Sequence, residues 1–151
     1  MKTLNNLTER QNVARRMTRL SPQDNARWGS MSVHQMVCHL VDSYKVPLGE
    51  KTASPATSLL PRTVVKWAAL KVPTRWPHGY PTRPEIEQGK GGTAPIDFHQ
   101  DLASLLSTLD RFCERLPIPA LPHPIFGKMT AEDWMRWGYL HADHHLRQFD
   151  R

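Results

Sequence analysis

Thirteen prolines divide this 151-residue chain, and most of them fall between stretches of helical periodicity rather than within them. Proline removes a backbone donor and clashes with the preceding helical turn, so its positions fix where helices stop. Leu4 to Leu20 carries Leu4, Leu7, Val13, Met17 and Leu20 at roughly helical spacing, before Ser21-Pro22-Gln23-Asp24 breaks the run. A second helix is expected from Ser32, because Ser32-Val33-His34-Gln35 has the form of a capping box. Val33, Met36, Val37, Leu40, Val41 and Tyr44 then form one apolar stripe, and Pro47-Leu48-Gly49 marks the end. Asp97 is placed to cap a helix reaching about Leu116, with Phe98, Leu102, Leu105, Leu106, Leu109, Phe112 and Cys113 on its apolar side and Leu116-Pro117-Ile118-Pro119 as its stop. Thr130-Ala131-Glu132-Asp133 is a further capping box, opening a last helix to about Phe149.

The middle of the chain is different. Pro61 to Lys71 fits a short helix with proline in its first turn. Beyond it, Pro73, Pro77, Gly79, Pro81, Pro84, Gly89, Gly91, Gly92 and Pro95 make a long connection of a kind that is usually functional or mobile. Alternating β-branched runs are almost absent, and no internal repeat is evident. The expectation is an all-α chain, residues 1–151 forming a single helical-bundle domain, with four main helices and a long crossover carrying a minor fifth.

Composition narrows the setting. Two cysteines, Cys38 and Cys113, are too few for a disulfide framework. The N-terminal MKTLNNLTERQNVARR lacks the apolar core of a secretory signal, and no segment has the length of a membrane span. A reduced, cytoplasmic protein without a membrane is therefore expected. A net charge of +6 permits contact with nucleic acid, but the basic residues are dispersed, densest at Arg15, Arg16 and Arg19. A solvated helix face is the better reading of that cluster, so nucleic acid is disfavoured. The sequence shows no Ser-His-Asp set, paired carboxylates or phosphate-binding loop.

Chemistry concentrates in the eight histidines. At about 100° per residue, His141 and His145 share the face of the last helix that carries Trp134, Trp137 and Gly138. Tryptophan is costly to expose and glycine admits a close neighbour, so this face points inward. Two imidazoles one turn apart on it aim at one point, where a shared metal ion would satisfy both. His144 lies at the margin of the stripe, which leaves His141/His144 as an alternative pair. A third ligand has to come from elsewhere, and the second helix offers His34 and His39 on opposite flanks of its stripe. Periodicity does not choose between them. Gln148, one turn beyond His145, is placed to hydrogen-bond a ligand or to be an ordinary buried glutamine. His78 and His99 read as surface residues; His123 reads as part of a turn, with an approach to the site from its loop as the lesser reading, and Cys38 as a buried inert thiol in preference to a fourth ligand or nucleophile.

The segment Ser32-Val33-His34-Gln35-Met36-Val37-Cys38-His39-Leu40, preceded by Trp28-Gly29-Ser30-Met31, resembles the second-helix signature of DinB-like proteins. His141-Ala142-Asp143-His144-His145-Leu146-Arg147-Gln148-Phe149 resembles that family's C-terminal His-x-x-x-His motif. With His123-Pro124-Ile125-Phe126-Gly127 and Trp134, the ending is similar to a bacterial branch known only as a domain of unknown function.

The resemblance implies a four-helix bundle of DinB-like type in which His39 joins His141 and His145 as ligands of one divalent metal. Imidazole ligands suit zinc or nickel, with iron also admitted. Three protein ligands leave a position open for water or substrate. DinB-like relatives include metal-dependent transferases and isomerases that use small thiols, and the superfamily often forms homodimers. This chain is therefore expected to be a metal-binding protein, with a metal-dependent transferase or related enzyme as the first reading. The alternative is a non-enzymatic metal or small-ligand binder with a stress or sensing role. If the crossover covers the site, Lys71, Arg75, Arg83 and Lys90 around Trp76 and Tyr80 are available to an anionic substrate.

Overall fold

The computed structural model describes residues 1–56, 64–115 and 121–151, in which there are five α-helices and no strand. These are α1 (Leu7–Met17), α2 (Val33–Lys45), α3 (Val64–Lys71), α4 (Phe98–Arg115) and α5 (Ala131–Gln148), with a short 3-10 turn at Pro84–Ile86 between α3 and α4. The proposed starts of α3 at Pro61 and the stop after Leu116 lie outside the described residues. Both capping boxes form as read: Ser32 Oγ accepts from Gln35 N while Gln35 accepts from Ser32 N, and Thr130 and Asp133 repeat the exchange. Asp97 Oδ1 accepts from Gln100 N at 2.9 Å, as expected of a cap for α4.

The first helix is shorter than its periodicity suggests. Asn6 caps it by accepting from Glu9 N, so Leu7 opens the helix and lies 61% exposed instead of in the core. Leu4 remains fully buried ahead of the helix, its backbone N–H donating to the Met135 carbonyl of α5.

Helix α2 packs chiefly against α4, α1 against α5, and α3 lies on α5. The whole stripe of α2 is buried, and so are Cys38, His39, Asp42 and Ser43, which makes α2 an interior helix on most of its circumference. Leu105, Leu109 and Phe112 of α4 meet it, and Tyr44 donates to the Gly138 carbonyl across to α5 at 2.9 Å. Gly138 is required there: a Cβ would fall 2.8 Å from the Phe112 ring and 2.9 Å from Leu4.

The crossover is a constructed wall. Buried Asp42 receives Thr93 N and Thr93 Oγ1, each at 2.7 Å, and pairs with Lys51 at 2.8 Å. Trp76 Nε1 donates to the Ala69 carbonyl at 2.9 Å, and Arg83 donates to Ser54 Oγ at 2.8 Å. On the other flank, Asp133 at the start of α5 pairs with Lys66 and Lys71 of α3, at 2.8 and 3.5 Å. No described helix is long and apolar enough to cross a membrane.

Candidate metal centre

His39 sits mid-way along α2, and His141 and His145 lie one turn apart on α5. The three rings meet between the helices, with centroid separations of 5.2 Å for His39–His141, 4.9 Å for His39–His145 and 4.8 Å for His141–His145. One ring nitrogen from each lies within 4.8 Å of the others. The closest approach is His39 Nε2 to His141 Nε2, at 3.3 Å. Of the two candidates on α2, the fold brings His39 to α5 and sends His34 the other way. His34 Nε2 meets Asp101 Oδ2 of α4 at 2.7 Å, where Ile96 N and the Cys38 thiol also donate. His34 and Cys38 thus clamp α2 to α4. Burial, with Asp101 adding to it, pushes the Cys38 thiol up to about 12, so it stays protonated.

The outer nitrogens decide the tautomers. His39 Nδ1 lies 3.0 Å from the Ile86 carbonyl, which only accepts, so Nδ1 carries the proton and Nε2 holds a lone pair. Gln148 Nε2 donates to the Trp28 carbonyl at 2.6 Å, which turns Gln148 Oε1 toward His145 Nδ1 at 3.1 Å. His145 Nδ1 must therefore donate, and its Nε2 is a second lone pair. Burial lowers all three imidazoles below the ordinary histidine value, and the neighbouring rings lower His141 and His145 further. All three are neutral at physiological pH, the state a metal ligand needs.

The three donors are grouped as a cation site needs, and one pair already has tetrahedral spacing. Zinc–imidazole bonds of about 2.05 Å at the tetrahedral angle put two ligating nitrogens about 3.3 Å apart, the separation found between His39 and His141. His141 Nδ1 is buried and has no partner, so the outer support is complete on two rings and not on the third.

The histidines face a cavity of ≈ 630 Å³ bounded by Trp28, Trp76, Tyr80, Ile86, Phe126 and Trp137 among others. The crossover supplies one wall. Arg75 and Arg83 line the cavity as expected; Lys71 and Lys90 do not, being paired with Asp133 and Glu87. His144, placed by periodicity at the margin of the stripe, lines this chamber, and His78, read as a surface residue, packs beside it. His78 is exposed but stacks on Trp28, with centroids 4.1 Å apart, and His144 sits beside both, its Nδ1 buried without a partner. His123, read as part of a turn, is buried and lines the chamber as well. An approach to the site from its loop is the lesser reading of the sequence, and packing on Trp134 and Trp137 brings it about. His99 is exposed, as expected.

Residues 2–151 match a protein family of unknown function, DUF1569, and the chain belongs to that family. No curated protein and no solved structure gives a significant match.

Proposed function

We propose that this member of a family of unknown function is a DinB-like four-helix-bundle protein that holds one divalent cation on His39, His141 and His145. In this reading it acts on a small thiol or anionic substrate in the adjoining chamber, as a metal-dependent transferase or related enzyme. The observation that carries the metal reading is the pair of fixed tautomers. Two buried imidazoles direct lone pairs toward a third, and a cation satisfies all three where protons satisfy them only in part. Zinc or nickel suits this set, and iron is also compatible with it. When bound, such an ion polarises a substrate oxygen or thiol and lowers the pKa of a group in its open position.

The chain's own residues supply the rest. The Ile86 carbonyl and Gln148 orient two ligands. Trp28, Trp76 and Trp137 give the chamber apolar walls beside the ligands, which strengthens charge interactions there. Arg75 and Arg83 bring positive charge to the same chamber. The DinB-like assignment is supported by the two motifs falling on α2 and α5 and meeting there, with α1 and α4 as the other long helices.

Elemental analysis of protein purified without chelator or affinity tag tests the centre. One equivalent is expected in the wild type and a large loss in both His39→Ala and His145→Ala. A full equivalent in both variants would refute the site. Metal-loaded protein screened for transfer between small thiols tests the enzymatic part, and tight metal binding without any turnover would favour a binding or sensing role instead.

A further inference from the structure

His123 belongs to a turn closed by reciprocal backbone bonds, His123 N to Gly127 O at 2.8 Å and Gly127 N to His123 O at 2.9 Å. Its Nδ1 accepts two more backbone donors, Ile125 N and Phe126 N, each at 3.1 Å. An amide N–H can only donate, so Nδ1 holds the lone pair and the neutral ring carries its proton on Nε2. The ring is 7% exposed, stacked on Phe126 with centroids 4.6 Å apart, and burial pushes it down to about 3, so it stays neutral. Nε2–H has no partner among the described residues, although the residue lines the chamber. Beside it, 5.3 Å between ring centroids, Trp134 has a buried Nε1–H that also lacks a partner. Trp134 Nε1–H is closed off from the chamber, whereas His123 Nε2–H is not fully buried, so the His123 ring presents the donor left open to a ligand or water that accepts.

We propose that His123 is a ligand-binding residue whose Nε2–H donates to a carbonyl or carboxylate oxygen of a molecule with an apolar, aromatic-sized body seated in the chamber. The body follows from the walls: Trp76, Tyr80, Phe126 and Trp137 offer faces and edges to a ring or short chain. The polar end follows from the donor, because His123 presents a hydrogen and no lone pair, so an ammonium end gains nothing from it. The same tautomer excludes His123 as a fourth metal ligand, since Nδ1 is taken by the turn and Nε2 is protonated. This assignment rests on the ligand-chamber part of the function proposed above and does not need the metal.

Two substitutions separate the roles of the ring's nitrogens. In His123→Asn the side-chain oxygen can replace Nδ1 as acceptor for the turn while the chamber donor is lost. In His123→Gln the amide can replace Nε2–H while the turn loses its acceptor. Calorimetric titration uses 4-phenylbutyrate as probe and 4-phenylbutylamine as the same body with a donor end, on metal-free protein, with metal content assayed separately. Wild type should bind the acid, and its affinity for the acid relative to the amine should fall in His123→Asn. That variant should bind the acid about tenfold more weakly at a near-wild-type unfolding midpoint, the fold-change of one hydrogen bond. His123→Gln should bind within about threefold of wild type but unfold more easily. Side-chain 1H–15N spectra of the wild type provide a readout that needs no variant: the proton should be on His123 Nε2 and its resonance should move on adding the acid. Undiminished binding by His123→Asn, an acid-to-amine affinity ratio unchanged in that variant, no binding by wild type at about 10 mM, a proton on Nδ1 or an unmoved resonance would each overturn the proposal. Metal bound without any of these effects would leave the metal centre standing and this assignment refuted, and the reverse result would do the opposite.

Discussion

Replacing Gln148 by methionine keeps the shape of the side chain and removes both of its hydrogen bonds, so it isolates the support of His145. In the wild type the amide bridges Trp28 O at 2.6 Å and His145 Nδ1 at 3.1 Å, and Gln148 is 3% exposed. Each lost bond is worth about 1 kcal/mol net, and the abandoned groups pay a further desolvation cost because His145 and Gln148 are buried. The apolar replacement recovers about 1 kcal/mol by its burial. A destabilisation of about 2–3 kcal/mol is therefore expected in urea unfolding of the metal-free protein. Metal affinity should fall separately, by about 10- to 100-fold, because His145 loses the acceptor that fixes its tautomer and ring plane. Competition against a chromophoric zinc chelator reads that number on folded protein, at denaturant-free conditions where both forms are native. A stability loss with zinc affinity within about threefold of wild type would refute the argument that Gln148 orients a ligand. An unchanged unfolding midpoint would show that its bonds are not made as described.

Gly138→Ala gains about 1 kcal/mol of helix propensity but drives a methyl to 2.8 Å from Phe112, so thermal unfolding should show a net loss of about 1–2 kcal/mol; a stabilised variant would contradict the close approach. Burial raises the Cys113 thiol to about 11, so at pH 8 it should alkylate far more slowly in native protein than in urea, as followed by mass spectrometry; equal rates would contradict its burial. Asp143 joins α5 to α1 through Arg16 at 2.7 Å and accepts from Arg147 at 2.9 Å. Burial works to raise its carboxyl, and the two guanidinium bonds outweigh it, leaving it below the ordinary carboxylate value. Its stabilisation is present above the unfolded pKa of about 3.9 and is lost as pH falls through the lower folded value. Asp143→Asn should thus cost about 2 kcal/mol at pH 7 and approach wild-type stability in strong acid; a gap independent of pH would sink the assignment.

Local signals carried much of the fold. Ser32/Gln35 and Thr130/Asp133 exchange their bonds within four residues, so the starts of α2 and α5 needed nothing beyond the sequence. Asn6-Leu7-Thr8-Glu9 offered a cap of the same kind, and reading the run from Leu4 passed over it because Leu4 continues the apolar spacing without being helical. On α5 the tryptophan and glycine face placed His141 and His145 correctly inward. The choice between His34 and His39 was beyond periodicity for a specific reason: α2 is buried on most sides, so both histidines point into protein. What separates them is Asp101, more than sixty residues away, and a backbone carbonyl at Ile86 that has no side-chain signature. For His123 the sequence left a turn and an approach to the site both open, and two backbone amides of its own turn with two distant tryptophans give it both.

His39 and His141 stand 102 residues apart in the chain, and this separation gives the proposed centre a place in polymer terms. Holding those two points together closes a loop whose entropic cost in a flexible chain is about 4 kcal/mol. An unfolded chain offers a cation only the local cluster on α5, without the ligand from α2, so binding selects the folded form. Stability then follows the ratio of free metal to its dissociation constant, about 1.4 kcal/mol for each tenfold rise once the site saturates. The proposed centre would thereby couple the supply of a metal to the stability of the folded chain.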